Sequence, residues 1–210
     1  MRRGIHRLYK AHLSVFWEKV IPIEEGRLDM KKKMVSVAVI SLVILIVSAI
    51  TYALTQIRPL FSVAITFGTI FYHLAVRLVI GLVIDAKYHN HMDYTRKWFR
   101  EKPFEKKLYQ ALRVKKWKKC LPTFNPEDFD IKNRSMEEII QVSCQAEVVH
   151  EVIMPFSFVP ILSSIWFGSL GVFIITSCAA FLFDGIFVIM QRYNRPRLMR
   201  LLKRTSKGEK

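Results

Sequence analysis

Two groups of residues in this 210-residue chain have the types and spacing to do chemistry. The first is Glu147 with His150. Ser135-Met136-Glu137-Glu138 fits a capping box, with Ser135 as N-cap and Glu138 at the third helical position. The helix it predicts runs through Ile139–Glu151 and leads into an apolar stretch. On that helix Ser143, Glu147, His150 and Met154 recur at i, i+4, i+7 and i+11, so they share one face. A carboxylate beside an imidazole orients the ring and raises its basicity, which suits a general base. The same spacing also fits a solvated polar face or an interfacial ion pair.

The second group is His73, Arg77 and Asp184, which interrupt long apolar runs. Charges inside a membrane cost at least a few kcal/mol each and usually mark function or a specific pair. Arg77 stands seven residues from the end of its run and Asp184 six from the end of its own, depths of roughly 10 Å and 9 Å at helical rise. Matching depths predict that Arg77 and Asp184 face each other, with His73 one turn deeper on the face of Arg77. Such a trio is either a buried polar staple between spans or a pocket that holds a substrate's polar group.

The elements that must position these residues follow from how the composition is distributed. The chain is 51% hydrophobic and yet carries 33 Lys+Arg against 17 Asp+Glu, a formal charge of +16. The two kinds of residue are segregated, which excludes a soluble enzyme, a disordered basic tail and a disulfide-stapled secreted domain. Met34–Leu54 is 21 residues without a charge, about 31 Å of helix and the thickness of a hydrocarbon core. Leu60–Ile84 is a second run, with only His73 and Arg77 ionisable. Val152–Met190 is 39 residues with one charge, Asp184, long enough for two spans. Gly168-Ser169-Leu170-Gly171 supplies a turn between them, and Pro155 and Pro160 predict a kinked or re-entrant third span. The fold class is therefore all-α: a polytopic helical membrane protein with about four transmembrane helices in two hairpins and a cytoplasmic helical loop.

Basic residues orient it. Residues 1–33 hold nine Lys/Arg, residues 85–151 fourteen and residues 191–210 eight, whereas the short connections hold only Arg58. Four spans put all three basic segments on one face, the cytoplasmic one. The organisation predicted is a cytoplasmic N-terminal segment (1–33, with an interfacial helix over 5–23), hairpin one (34–84), a cytoplasmic loop (85–151), hairpin two (152–190) and a basic cytoplasmic tail (191–210). Most of the charge is then topology and attraction to anionic headgroups. No nucleic-acid module is recognisable. Trp98 and Trp117, each set among basic residues, suit the headgroup layer. Cys120, Cys144 and Cys178 show no metal-ligand spacing and no disulfide framework, and His89 with His91 lacks a third ligand nearby.

Three blocks in order, Arg113-Val114-Lys115-Lys116-Trp117-Lys118-Lys119-Cys120-Leu121-Pro122, Gln145-Ala146-Glu147-Val148-Val149-His150 and Gln191-Arg192-Tyr193-Asn194-Arg195-Pro196-Arg197-Leu198, resemble the glycosyl-4,4'-diaponeurosporenoate acyltransferase family. That bacterial membrane family attaches a fatty acyl chain to the glucose of a carotenoid glycoside. The resemblance spans residues 97–205, about half the chain. Gln145 stands where the family motif has Arg, and Glu151 where it has Trp. The two N-terminal spans, with His73 and Arg77, lie outside the likeness.

The resemblance implies acyl transfer to a sugar hydroxyl, with His150 as base oriented by Glu147. It further implies that Arg192, Asn194, Arg195 and Arg197, with Trp117, bind the donor's phosphates or the reacting carbonyl. Asn194 fits either that role or a helix C-cap. The substrates expected are acyl-CoA or another activated acyl donor, with no bound cofactor and no metal. The acceptor expected is a membrane glycolipid or glycosylated isoprenoid, in a bacterial cell membrane with both termini cytoplasmic. Two other readings fit the residues: a lipid-modifying methyltransferase or reductase, and a non-enzymatic lipid-binding or assembly protein.

Overall fold

A computed structural model describes residues 30–121, 126–130 and 133–208; the interfacial helix expected over 5–23 lies outside them. The described residues are helical throughout, apart from turns and short 3-10 segments. Helices α1 (Met30–Thr55) and α2 (Arg58–Tyr88) come first, followed by the short α3 (Glu105–Ala111) and α4 (Val114–Trp117). Then come α5 (Met136–Phe156), the one-turn α6 (Ser164–Phe167) and α7 (Leu170–Gly208). Four stretches, Met30–Thr55, Arg58–Tyr88, Met136–Phe167 and Leu170–Arg204, are long and apolar enough to cross a membrane. The all-α, four-span reading of the sequence is what the chain adopts.

The residues divide into two compact units. One consists of Lys31–His89 with Glu147–Val188 and holds the apolar spans. Its first helix inverts the pattern of a soluble helix. Ala38, Ser41 and Ser48 are buried while Val39, Ile40, Val43, Val47 and Ile50 are exposed. Lipid tails solvate aliphatic side chains as well as a protein core does, so small residues go to helix contacts and large ones outward. Ser48 gives its hydroxyl hydrogen to the Ile44 carbonyl (2.6 Å), which removes a polar group from lipid without a second helix. The α1–α2 turn has Gln56 in the left-handed region (φ 56°), and Pro59 then starts α2 where its missing N–H is no loss.

The third span is broken as its prolines predict. Pro155 lies in the last turn of α5, where it has no hydrogen for the carbonyl four residues back. A 3-10 segment, Val159–Ser163, follows with Pro160 at its start, and α6 completes the crossing. Gly168 (φ 69°, ψ −153°) ends it in a conformation that side-chain-bearing residues avoid, and Ser169 (φ 54°) completes the reversal into α7.

The other unit consists of Asn90–Ala146 with the chain from Ile189 on. It is a packed domain and not a loose loop. Val114, Ile139, Ile140 and Cys144 are fully buried, with Met92, Phe99 and Leu198 nearly so. At the start of α5 the capping box forms reciprocally. The Ser135 N–H donates to Glu138 Oε2 (2.6 Å) and the Glu138 N–H donates to Ser135 Oγ (3.2 Å). These two hydrogen bonds hold the exposed Glu138 carboxyl below its ordinary pKa.

One expectation, Asn194 as a helix C-cap, is corrected. Helix α7 continues through residue 191 and runs 39 residues with Pro196 inside it, about 58 Å at helical rise. Asn194 is therefore inside a helix and caps nothing. Helix α5 is continuous from Met136 to Phe156 and leads into the third span as its capping box predicts.

Candidate active site

Asp184 of α7 is fully buried in the membrane-spanning unit. One of its oxygens, Oδ2, accepts from Arg77 Nη2 of α2 (2.5 Å), and the other, Oδ1, meets His150 Nδ1 of α5 (2.9 Å). Three helices thus bring one residue each to a single carboxylate. Arg77 also donates from Nη1 to the His73 carbonyl (2.9 Å), one turn earlier on its own helix. Its guanidinium lies 5.6 Å from the Phe183 ring centre. The His150 ring is stacked on Phe187, 4.7 Å between centres and 9° between planes, and Phe187 in turn packs edge-on against Phe183. An apolar wall and one carboxylate, itself held by Arg77, therefore define the position of the imidazole.

The predicted facing of Arg77 and Asp184 is present. The partner of His150 differs from the one its spacing suggested. The carboxylate on Nδ1 is Asp184, 34 residues along the chain, and not Glu147, one turn away. Glu147 is itself fully buried. His150 consequently shares its carboxylate partner with Arg77. Asp184 sits opposite a ring at hydrogen-bond distance because α5 and α7 pack with those faces together. Spacing within one helix cannot reveal such a contact. Phe187, one turn beyond Asp184, is recoverable from helical periodicity alone. So is Ser177, two turns before it and fully buried, whose hydroxyl has no partner among the described residues.

The second polar group belongs to the other unit. Arg192 Nε donates to Glu105 Oε1 (2.8 Å), and its Nη2 reaches the carbonyls of Trp98 (3.4 Å) and Arg100 (3.5 Å). Tyr109 donates to the remaining Glu105 oxygen (2.9 Å). Burial, foremost, and that carboxylate push the Tyr109 hydroxyl pKa far up. Arg195 is buried, donates to the Phe99 carbonyl (3.2 Å) and lies 4.8 Å above the Phe99 ring. Lys118 Nζ, also buried, donates to Asn194 Oδ1 (2.8 Å) and stands 5.1 Å from the Tyr193 ring. Arg197 donates to the Tyr193 hydroxyl (2.6 Å) and covers its ring at 3.9 Å. Trp117 turns its indole N–H back to the Leu112 carbonyl (2.8 Å).

This arginine-rich block thus fastens segment 98–100 and α3 to the C-terminal half of α7. Sequence reasoning missed Glu105 and Lys118, which looked like two more charges in a basic loop. Ser143 donating to Gln191 (2.9 Å) and the Asn90 N–H donating to Gln145 Oε1 (2.8 Å) complete the polar packing of that unit. The second bond gives Gln145, the residue that departs from the family motif, a structural task at the turn after α2.

Fold and site together define a polytopic helical membrane protein that holds an imidazole–carboxylate–guanidinium cluster among its spans. The chain belongs to the glycosyl-4,4'-diaponeurosporenoate acyltransferase family, whose family model matches residues 95–204, just over half of it. The matched stretch contains Glu147, His150 and Asp184 and excludes His73 and Arg77. No curated protein and no solved structure matches the chain.

Proposed function

We propose that this protein is an integral membrane acyltransferase that moves a fatty acyl chain onto a hydroxyl of a membrane glycolipid or terpenoid glycoside. His150 is its general base. The observation that carries the reading is Asp184 at 2.9 Å from His150 Nδ1. Because Arg77 holds the other Asp184 oxygen, the carboxylate acts as acceptor and the hydrogen on Nδ1 belongs to His150. The lone pair then sits on Nε2, the arrangement by which a carboxylate sets the tautomer of a catalytic histidine.

In the step proposed, the acceptor hydroxyl gives its proton to Nε2 as its oxygen bonds to the acyl carbonyl carbon. The tetrahedral oxyanion collapses, the bond to the leaving group breaks, and the leaving group takes the proton from Nε2. The imidazolium formed midway is stabilised by Asp184 and by the nearby buried Glu147. Arg77, Asp184 and His73 line the place of the reacting polar groups. The donor is acyl-CoA or another activated acyl chain, with no bound cofactor. The acceptor class follows the family's name, a glycosylated isoprenoid. The protein would sit in a bacterial cell membrane with both termini cytoplasmic, as its basic segments suggest. Arg192, Asn194, Arg195, Arg197 and Trp117, proposed as donor-binding, each also have a protein partner that makes them part of the scaffold of their unit.

The test compares lipids by mass spectrometry from host cells carrying no protein, the wild type, or His150→Ala at matched membrane levels. An acylated glycolipid present only with the wild type is expected. Identical lipids in all three would overturn the proposal.

A further inference from the structure

Two polar atoms of the cluster that holds Asp184 are buried and have no hydrogen-bond partner among the described residues: His73 Nε2 and Arg77 Nε. They lie on adjacent turns of α2, where i and i+4 side chains share a face. Arg77's other nitrogens are engaged by Asp184 and the His73 carbonyl, so Nε is the one of its three nitrogens without a partner. A buried donor without an acceptor costs about 1–3 kcal/mol, more when charged. Within a bilayer no solvent repays that cost, and intramembrane polar groups therefore mark function. Arg77 can only donate, and an imidazole N–H donates as well. With His73 as the Nε2–H tautomer, an oxygen acceptor satisfies both.

We infer that His73 Nε2–H and Arg77 Nε–H form a two-donor site for a carbonyl oxygen of an acyl ester or thioester. His73 is thereby a catalytic residue that donates to the oxyanion. The inference deepens the acyltransferase reading and rests on it. It assigns the histidine a task distinct from that of His150: one ring takes the hydroxyl proton, the other holds the oxygen on which charge develops. Preorganised donors at such a position act where water is excluded, and removing one costs roughly 10²–10³ in kcat.

Two measurements on the full-length protein in detergent test it. The first is the carbonyl stretch of 2-octadecanone, carbon-13-labelled at the carbonyl, bound to the wild type, His73→Phe and His73→Gln. Phenylalanine keeps the ring volume without a donor, and glutamine restores an N–H at the end of the side chain. A lowered stretch in the wild type and His73→Gln but not in His73→Phe is expected. No lowering in the wild type, or equal lowering in His73→Phe, would overturn the inference. The second is turnover: kcat of His73→Phe should fall about 100-fold or more, with KM little changed and partial recovery in His73→Gln. A loss confined to KM, or equal activity of the two variants, also overturns it. The ketone readout needs no turnover. A lowered stretch without any acylated lipid in cells would leave the carbonyl site standing and defeat the acyltransferase reading alone.

Discussion

Replacing Asp184 with Leu, Arg77 with Met, and both together tests the buried ion pair directly. Asp184 is wholly buried and Arg77 has 13% of its side chain exposed, so neither single variant leaves its former partner well solvated. Breaking a buried pair from one side costs about 3–5 kcal/mol, whereas replacing both charges with apolar groups of similar volume is often close to neutral. Each single variant should therefore lose about 3–5 kcal/mol. The double variant should be more stable than either one, which makes the coupling at least about 3 kcal/mol, the upper end of the about 0.5–3 found between contacting residues. In Asp184→Leu the residual charge is that of Arg77, and His150 also loses its Nδ1 acceptor, so that variant should be the worse of the two. The assay is reversible unfolding in mixed detergent micelles, with helical content followed as the denaturing detergent fraction rises. Additivity within about 0.5 kcal/mol, the behaviour of independent sites, would refute the pairing and the three-helix site built on it.

Other outcomes follow from the same contacts. Asp184→Asn preserves shape but lets an amide hydrogen face Nδ1, so acyl transfer should fall by roughly 10³–10⁴ with the protein still folded; activity within tenfold of wild type would contradict the assigned tautomer. Phe187→Ala removes the ring stacked on His150 and should cost about 3–5 kcal/mol as a core truncation, together with much of the activity, measured by unfolding and lipid analysis. Glu105→Gln uncouples Arg192 and Tyr109, so hydrogen exchange across residues 98–111 should rise while the spans stay protected. Ser135→Ala should cost about 1 kcal/mol through lost capping, and it should also flatten the acid limb of the stability profile. The folded-state pKa of Glu138 is lowered by its bonds to Ser135; its contribution is therefore present above the ordinary glutamate pKa and lost as pH falls through the depressed value. An unchanged acid limb in Ser135→Ala would remove that link.

The amino-acid sequence alone dictates the spans, their number and the broken third crossing. Apolar runs cannot stay in water and prolines cannot complete a helical ladder, whatever the rest of the chain does. It also announces that Arg77 and Asp184 must meet, because two opposite charges at equal depth in hydrocarbon have few other partners. The reciprocal bonds of Ser135 and Glu138 are local and equally legible.

What the chain did not disclose is contact between residues far apart along it. His150 turned to Asp184 and not to Glu147 because helix packing, not helical spacing, chooses which faces oppose each other. Arg192, Arg195 and Lys118 read as membrane-surface charge until Glu105, the Phe99 carbonyl and Asn194 folded against them. A basic side chain near a bilayer has the same sequence signature whether it meets a headgroup or a buried carboxylate. Charge and hydropathy patterns declare the solvent each segment must occupy; only packing in three dimensions declares which polar atoms find partners and which, like His73 Nε2, find none among the described residues.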